Sequence, residues 1–313
     1  IRAADLVLDM GPGPGERGGE VVHFGGLGGL LANRRSVTAA YLRGDRKVQP
    51  PRPSPTAARG TAALVVKGAS EHNLKDLDVS FPLGRVVCVT GVSGSGKSTL
   101  VQDVLYNGLR RLKRKPVDPP GRHRFIAGHE LVDDAVLVDQ SPIGRTARSN
   151  PVSHVGAFDA IRRLFALDPL ARERGYTAGT FSFNAGTGRC PTCSGSGFEH
   201  VEMQFLSDVY LRCPDCDGRR YRGEVLEVRI LPPGRPASGT AVSSRSVADV
   251  LDMTVDEACA FFAGEPEVAA ALAPLSEVGL GYLTLGQPVP SLSGGEAQRL
   301  KLAGHLAAPA APS

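Results

Sequence analysis

The chain opens with alternating apolar and polar positions. In ADLVLDMGPGPGERGGEVVHFG (4–25) two short alternating runs flank a turn rich in glycine and proline, which predicts strand, turn, strand. SVTAAYLRGDRKV (36–48) predicts a short helix ending in basic residues, and QPPRPSPTAARGT (49–61) breaks every period and is a Pro-rich linker, with a boundary near residue 58. Beyond it, ALVVKGA (63–69) alternates as a strand and LKDLDVSFPLG (74–84) predicts a second strand closed by a turn. RVVCVTG (85–91) is almost wholly apolar, as befits a strand in the middle of a parallel sheet. KSTLVQDVLYNGLRRLK (97–113) has the period of an amphipathic helix, and DAVLVDQSP (134–142) predicts another buried strand.

From residue 142 to 285 the pattern is longer and broken by glycine. Helices are expected in HVGAFDAIRRLFAL (154–167) and TVDEACAFFAG (254–264), with Ser153 and Thr254 as caps. A strong helix returns in SLSGGEAQRLKLAGHLAA (291–308).

Composition adds bounds. Hydrophobic content of 42% suffices for a core, and with no Trp and 5% aromatics, Val, Leu and Ala must fill it. A net charge of +4 permits an anionic partner without requiring one. No apolar run approaches the ~18 residues of a membrane span, and the first residues lack the basic start and apolar run of a secretory leader. Starting at Ile1, the chain is expected to be a fragment or a processed form. Cys88 and Cys259 stand alone in apolar patterns and are expected to be buried small hydrophobes.

Three motifs carry chemistry. Gly91-Val92-Ser93-Gly94-Ser95-Gly96-Lys97-Ser98-Thr99 satisfies G-x-x-x-x-G-K-[ST] between an expected strand and an expected helix. The glycines let successive N–H groups face phosphate oxygens at a helix N-terminus, Lys97 would reach the outer phosphates, and Ser98 would ligate Mg²⁺. The competing view is a chance match in a Gly/Ser loop. The second motif is LSGGEAQRLKLA, where Ser293, Gly294, Gly295 and Glu296 open a helix with bare N–H groups. Ser293 and Glu296 alone would also make an ordinary capping box. The third is Cys190-Pro-Thr-Cys193 and Cys213-Pro-Asp-Cys216, separated by residues 194–212. Four thiolates so spaced suit a closed, structural Zn²⁺ site in a reducing cytosol, against disulfides or free thiols. The pairs also resemble DnaJ-type repeats, but those number four and lack a phosphate loop.

Basic residues cluster at Arg110–Lys115, at Arg145 and Arg148, and at Arg219, Arg220, Tyr221 and Arg222. The last cluster, beside the cysteines, is a candidate for phosphate-backbone contact, with a solvated surface as the alternative.

LSGGEAQR resembles the signature of ATP-binding-cassette ATPases, and Gln140 in VLVDQSP matches that family's Q-loop glutamine. The interval between Gln140 and Ser293 and the cysteine pairs within it do not suit a transporter cassette. Together with VDQSPIGRTARSNP, RGYTAGTFSFNAGTGRCPTCSGSGF, LSDVYLRCPDCDGRRY, VADVLDMTVDEACAFF and VGLGYLTLGQPVPSLSGGEAQRLKLA, the chain resembles the UvrA family of bacterial DNA-repair ATPases.

The resemblance implies an α/β fold: an ABC-type P-loop ATPase core with an inserted helical signature domain carrying a zinc module. It implies five segments: 1–50, the end of a first ATPase half; 51–60, linker; 61–141, P-loop core; 142–285, insertion with the zinc module at 190–216; and 286–313, signature helix and truncated end. It further implies ATP, Mg²⁺ and Zn²⁺, a catalytic sensing role for Gln140, damaged double-stranded DNA and UvrB as partners, a homodimer, and a cytoplasmic place. The family's Asp-Glu-Pro segment is not among these 313 residues, so weak or no hydrolysis by the chain alone is expected. A self-protection paralogue acting on drug–DNA adducts and a non-hydrolysing zinc/DNA-binding remnant are the alternatives.

Overall fold

The computed structural model describes residues 1–15, 18–47, 62–139, 143, 148–201, 209–234 and 243–307. The chain forms two compact units, one of residues 47–138 and one of residues 1–46 with 139–313. In the larger unit, Val7–Gly11 (β1) and Glu20–Gly25 (β2) pair antiparallel, as their alternation predicts. Two short helices follow, Leu27–Ala32 (α1) and Val37–Arg43 (α2). The Ser36 hydroxyl caps α2 by accepting the Ala39 N–H at 2.8 Å and donates to Asp9 at 2.6 Å.

The smaller unit holds Ala63–Ala69 (β3) and Leu77–Pro82 (β4), then a helix wound with i→i+5 bonds over Thr99–Tyr106 that continues as Asn107–Leu112 (α3). Phe125–Ala127 (β5), which carries no sequence alternation to announce it, completes a sheet of order β4–β3–β5. Leu64 and Val66 point from one face of β3 into a small core with Phe81, Leu100, Val104 and Ile126.

The sheet is antiparallel throughout, not parallel as expected. Neither 85–91 nor 134–139 is a strand. An apolar run becomes a strand only where a neighbour takes up its N–H and C=O groups, and among the described residues none lies alongside. Val86 is accordingly 100% exposed, and Cys88 is exposed rather than buried. Cys259 is half-buried.

The rest of the larger unit is mainly helical. Pro151–His154 (α4), Ala157–Leu167 (α5) and Pro169–Glu173 (α6) lead to a hairpin of Phe198–Val201 (β6) and Val209–Arg212 (β7). Gly223–Leu226 (α7), Val247–Asp252 (α8), Val255–Phe261 (α9), Pro266–Glu277 (α10) and Gly294–Ala307 (α11) follow. The helix period on α5 buries Phe158, Ile161 and Phe165 against Phe181, Phe183, Leu272 and Leu300. Thr254 caps α9 in a full capping box, as predicted. Ser153 is not a cap: Asn150 Oδ1 takes the Ser153 N–H at 3.0 Å, because Pro151 fills the first helical position and moves the cap back to Asn150. Among the described residues no helix is long and apolar enough to cross a membrane.

Candidate metal centre and nucleotide-facing loops

Cys190, Cys193, Cys213 and Cys216 are brought together by β6 and β7, which return the second pair to the first. Their four Sγ atoms lie within 4.8 Å of one another, with Cys190–Cys213 at 3.9 Å and Cys193–Cys216 at 3.7 Å. A tetrahedron with metal–sulfur bonds of about 2.3 Å has edges of about 3.8 Å, whereas a disulfide requires about 2.05 Å. The spacing therefore fits four ligands of one ion and excludes disulfides.

Backbone geometry sets this up. The Cys213 N–H donates to the Gly197 carbonyl at 3.0 Å, and the Gly197 N–H points at the Cys193 sulfur at 3.3 Å. Gly195 has φ +85°, and a Cβ there would collide with the Phe183 carbonyl oxygen, so glycine is required. Burial, and then hydrogen bonds with Cys193 and Cys213, push the Cys216 thiol up to about 12. A soft cation is what would hold the Cys216 sulfur as a thiolate at neutral pH.

In the smaller unit, Gly91–Ser98 curls between the extended segment and the helix that begins at Lys97. Lys97 Nζ folds back on the loop's own carbonyls, Gly91 at 3.0 Å and Val92 at 2.7 Å, which puts a cation inside the curve. Gly94 and Gly96 have φ +79° and +91°. Ser93, Gly94, Ser95 and Ser98 are exposed, and Thr99 is half-buried in the first turn. Asn73 braces the loop by donating to the Gly94 carbonyl at 2.8 Å. Nothing in the sequence marks Asn73, since no spacing rule links it to the motif.

At the start of α11 the Ser293 N–H donates to Glu296 at 2.7 Å, and the Glu296 N–H points back at Ser293 Oγ at 3.4 Å. The Ser293 hydroxyl donates to the same carboxylate at 2.8 Å, and the Tyr282 hydroxyl donates to it at 2.6 Å. Burial raises the Glu296 carboxyl, but these donors hold it below its usual range. Gly294 and Gly295 are exposed beside them. From α11, Arg299 donates to the Gly279 carbonyl at 2.9 Å, placing a cation at the end of α10. Arg299 is the last residue of the LSGGEAQR motif, and Tyr282 is a contributor that no motif spacing pointed to.

No protein-family model matches the chain. UvrABC system protein A of Thermus thermophilus is 50% identical over 306 residues, which is 98% of this chain and 31% of that protein. That of Clostridium perfringens is 48% identical over 307 residues, again 98% of this chain and 31% of the relative. The solved structure of UvrA2 from Deinococcus radiodurans superposes with a TM-score of 0.81 at 47% identity, over 97% of this chain and 34% of that one. Over its length, this chain is similar to the UvrA proteins. It spans about a third of the relatives it matches.

The structural match gives the fold class as α/β of the ABC ATPase type, with a helical insertion that here carries the four-cysteine module. Within that UvrA-type fold, two of the four basic-cluster candidates are misassigned by the sequence. Tyr221 is 2% exposed, and its hydroxyl donates to the Phe181 carbonyl at 2.8 Å. Arg220 is 4% exposed, and its guanidinium lies over the Phe183 ring and donates to the Gly286 carbonyl at 2.8 Å. Both side chains are turned inward by the aromatic cluster and are unavailable to a phosphate backbone. Arg219 and Arg222 are exposed. Gln140 and Arg145 lie outside the described residues.

Proposed function

We propose that the chain is the part of a UvrA-type DNA-damage recognition protein that binds ATP, holds one Zn²⁺ and presents a signature helix. The observation that carries this reading is the set of four sulfurs at tetrahedral spacing, in a sequence that also holds a complete phosphate loop. Cys190, Cys193, Cys213 and Cys216 hold the zinc, which supplies folding energy to a glycine-rich lobe and leaves no open position for catalysis. Gly91 to Gly96 turn their N–H groups toward the phosphates, and Lys97 exchanges its two loop carbonyls for phosphate oxygens. Ser98 and Thr99 lie next to that position, Ser98 as the Mg²⁺ ligand, and Gln140 is the sensor of the outer phosphate. Ser293, Gly294, Gly295 and Glu296 serve the nucleotide of another ATPase unit.

In the full-length setting the substrate is damaged double-stranded DNA, UvrB is the partner, the assembly is a homodimer and the place is the cytoplasm. Arg219 and Arg222 are the basic side chains beside the module that remain exposed for a phosphate backbone. The test is titration of the zinc-loaded chain with a fluorescent ATP analogue and with lesion-bearing and intact duplexes. Nucleotide binding lost in Lys97→Ala, with tighter retention of the damaged duplex, is expected. Nucleotide binding unaffected by Lys97→Ala would overturn the phosphate-loop assignment. Equal retention of both duplexes would favour a nonspecific zinc/DNA-binding remnant.

A further inference from the structure

We infer that Arg220 is a positioning residue that ties the four-cysteine module to the approach of the signature helix, so that metal occupancy is felt at residues 284–292. The inference rests on the reading of the four cysteines as a metal site.

The backbone of residues 219 and 220 touches both cysteine pairs. The Arg220 carbonyl accepts the Cys190 N–H at 2.8 Å. The neighbouring Arg219 N–H donates to the Cys216 carbonyl at 2.8 Å. Arg220 holds φ +70°, a conformation costly for a side chain with a Cβ, so its surroundings impose it.

The side chain then leaves the module. Its guanidinium carbon sits 5.0 Å from the Phe183 ring centroid, and one terminal nitrogen donates to the Gly286 carbonyl at 2.8 Å. The other terminal nitrogen is buried with no hydrogen-bond partner among the described residues.

Gly286 is fixed from its other side. Its N–H donates to the Leu251 carbonyl at 2.7 Å at the end of α8, and the Leu285 N–H donates to Met253 at 2.9 Å. A Cβ on Gly286 would lie 2.9 Å from the Leu251 oxygen, so this close approach to the end of α8 is one that glycine permits. From Gly286 the chain reaches Val289, whose N–H donates to Ser149 at 2.8 Å, and passes through the turn Val289–Ser291 to Ser293 and α11. A single side chain thus spans from a dipeptide, Arg219–Arg220, bonded to both cysteine pairs, to the strap that delivers Ser293. If the cysteines separate, residues 219 and 220 lose the two backbone bonds that aim the Arg220 side chain, and the Gly286 carbonyl loses its charged donor.

Hydrogen exchange on the full chain tests this, with zinc content measured in parallel. In the wild-type chain, chelating the zinc is expected to speed exchange at 284–292 about tenfold, the effect of losing one charge-assisted hydrogen bond. Arg220→Met keeps an unbranched side chain over Phe183 and removes the bond. It is expected to retain zinc, to exchange fast at 284–292 before chelation, and to change little after it. Arg220→Lys, which can still donate to the carbonyl, is expected to recover part of the protection and of the response. Unchanged protection in Arg220→Met, or a full chelation response in that variant, would overturn the inference. A wild-type chain without zinc would instead overturn the metal reading and the coupling with it. A variant that also loses protection along α5 would mark Arg220 as a general core residue, contrary to the inference.

Discussion

Around the cysteine module, Phe181, Phe183 and Tyr221 are buried and locked by ring contacts, and each sulfur is close to others across a hairpin. Around the phosphate loop, Val86, Val87 and Val92 are exposed, and the extended segment leading into the loop has no strand beside it among the described residues. The module is closed by neighbours within residues 181–222 and by the larger unit's core, through Phe158, Phe165 and Gly286. The loop takes its shape from local glycine conformations, Asn73 and the Lys97 turn-back, while of the valines before it Val89 packs against the small core and Val86 and Val87 stay exposed. The geometry of a site can be complete where its supporting sheet is not.

This contrast can be broken or sharpened by experiment. The largest effect is expected from Cys213→Ser, which removes one of four ligands. Loss of bound zinc and loss of protection throughout 189–222 should follow, because a structural zinc supplies about 10–16 kcal/mol of apparent binding free energy. Retained zinc and protection would show the module to be held by its core alone.

Next comes a pair of truncations. Phe183→Ala should destabilise the larger unit by about 3–5 kcal/mol in denaturant unfolding, whereas Val86→Ala should stay within about 0.5 kcal/mol. A large effect at Val86 would mean that this side chain packs after all.

A glycine pair follows. Gly195→Ala forces a Cβ into the Phe183 carbonyl at positive φ and should cost several kcal/mol, on the order of the strain and overpacking limits. Gly94→Ala meets open space at φ +79° and should cost about 1–2 kcal/mol from backbone conformation alone. Thermal unfolding of the two variants checks the order.

The smallest effect concerns Glu296. Its carboxyl lies below the ordinary value of 4.5, so its contribution to stability is full above that value and is lost as pH falls through the lower folded one. Tyr282→Phe removes one donor, should cost about 1 kcal/mol at neutral pH, and should flatten the acid limb of the stability profile. An unchanged acid limb would assign the pH dependence elsewhere.

The legibility of these features follows their locality. The phosphate loop and the cysteine pairs are consecutive or nearly so, and their chemistry is written in spacing. The caps at Thr254 and Ser293 are equally local, with partners three residues away. Arg220 and Tyr221 stand in the sequence as part of a basic run, and only the packing of Phe181 and Phe183, some forty positions earlier, turns them inward. The strand expected at 85–91 fails for the same reason, because apolar content does not specify a ladder partner. Asn73 and Tyr282 act across gaps that no motif spans.

The central claim is that the four cysteines form one metal site, and metal content with thiol titration of the native chain tests it most directly. The account predicts one zinc per chain, with exposed Cys88 reacting at once and Cys190, Cys193, Cys213 and Cys216 protected until a chelator is added. A native chain without zinc, whose four module thiols titrate freely or are found as disulfides, would contradict it.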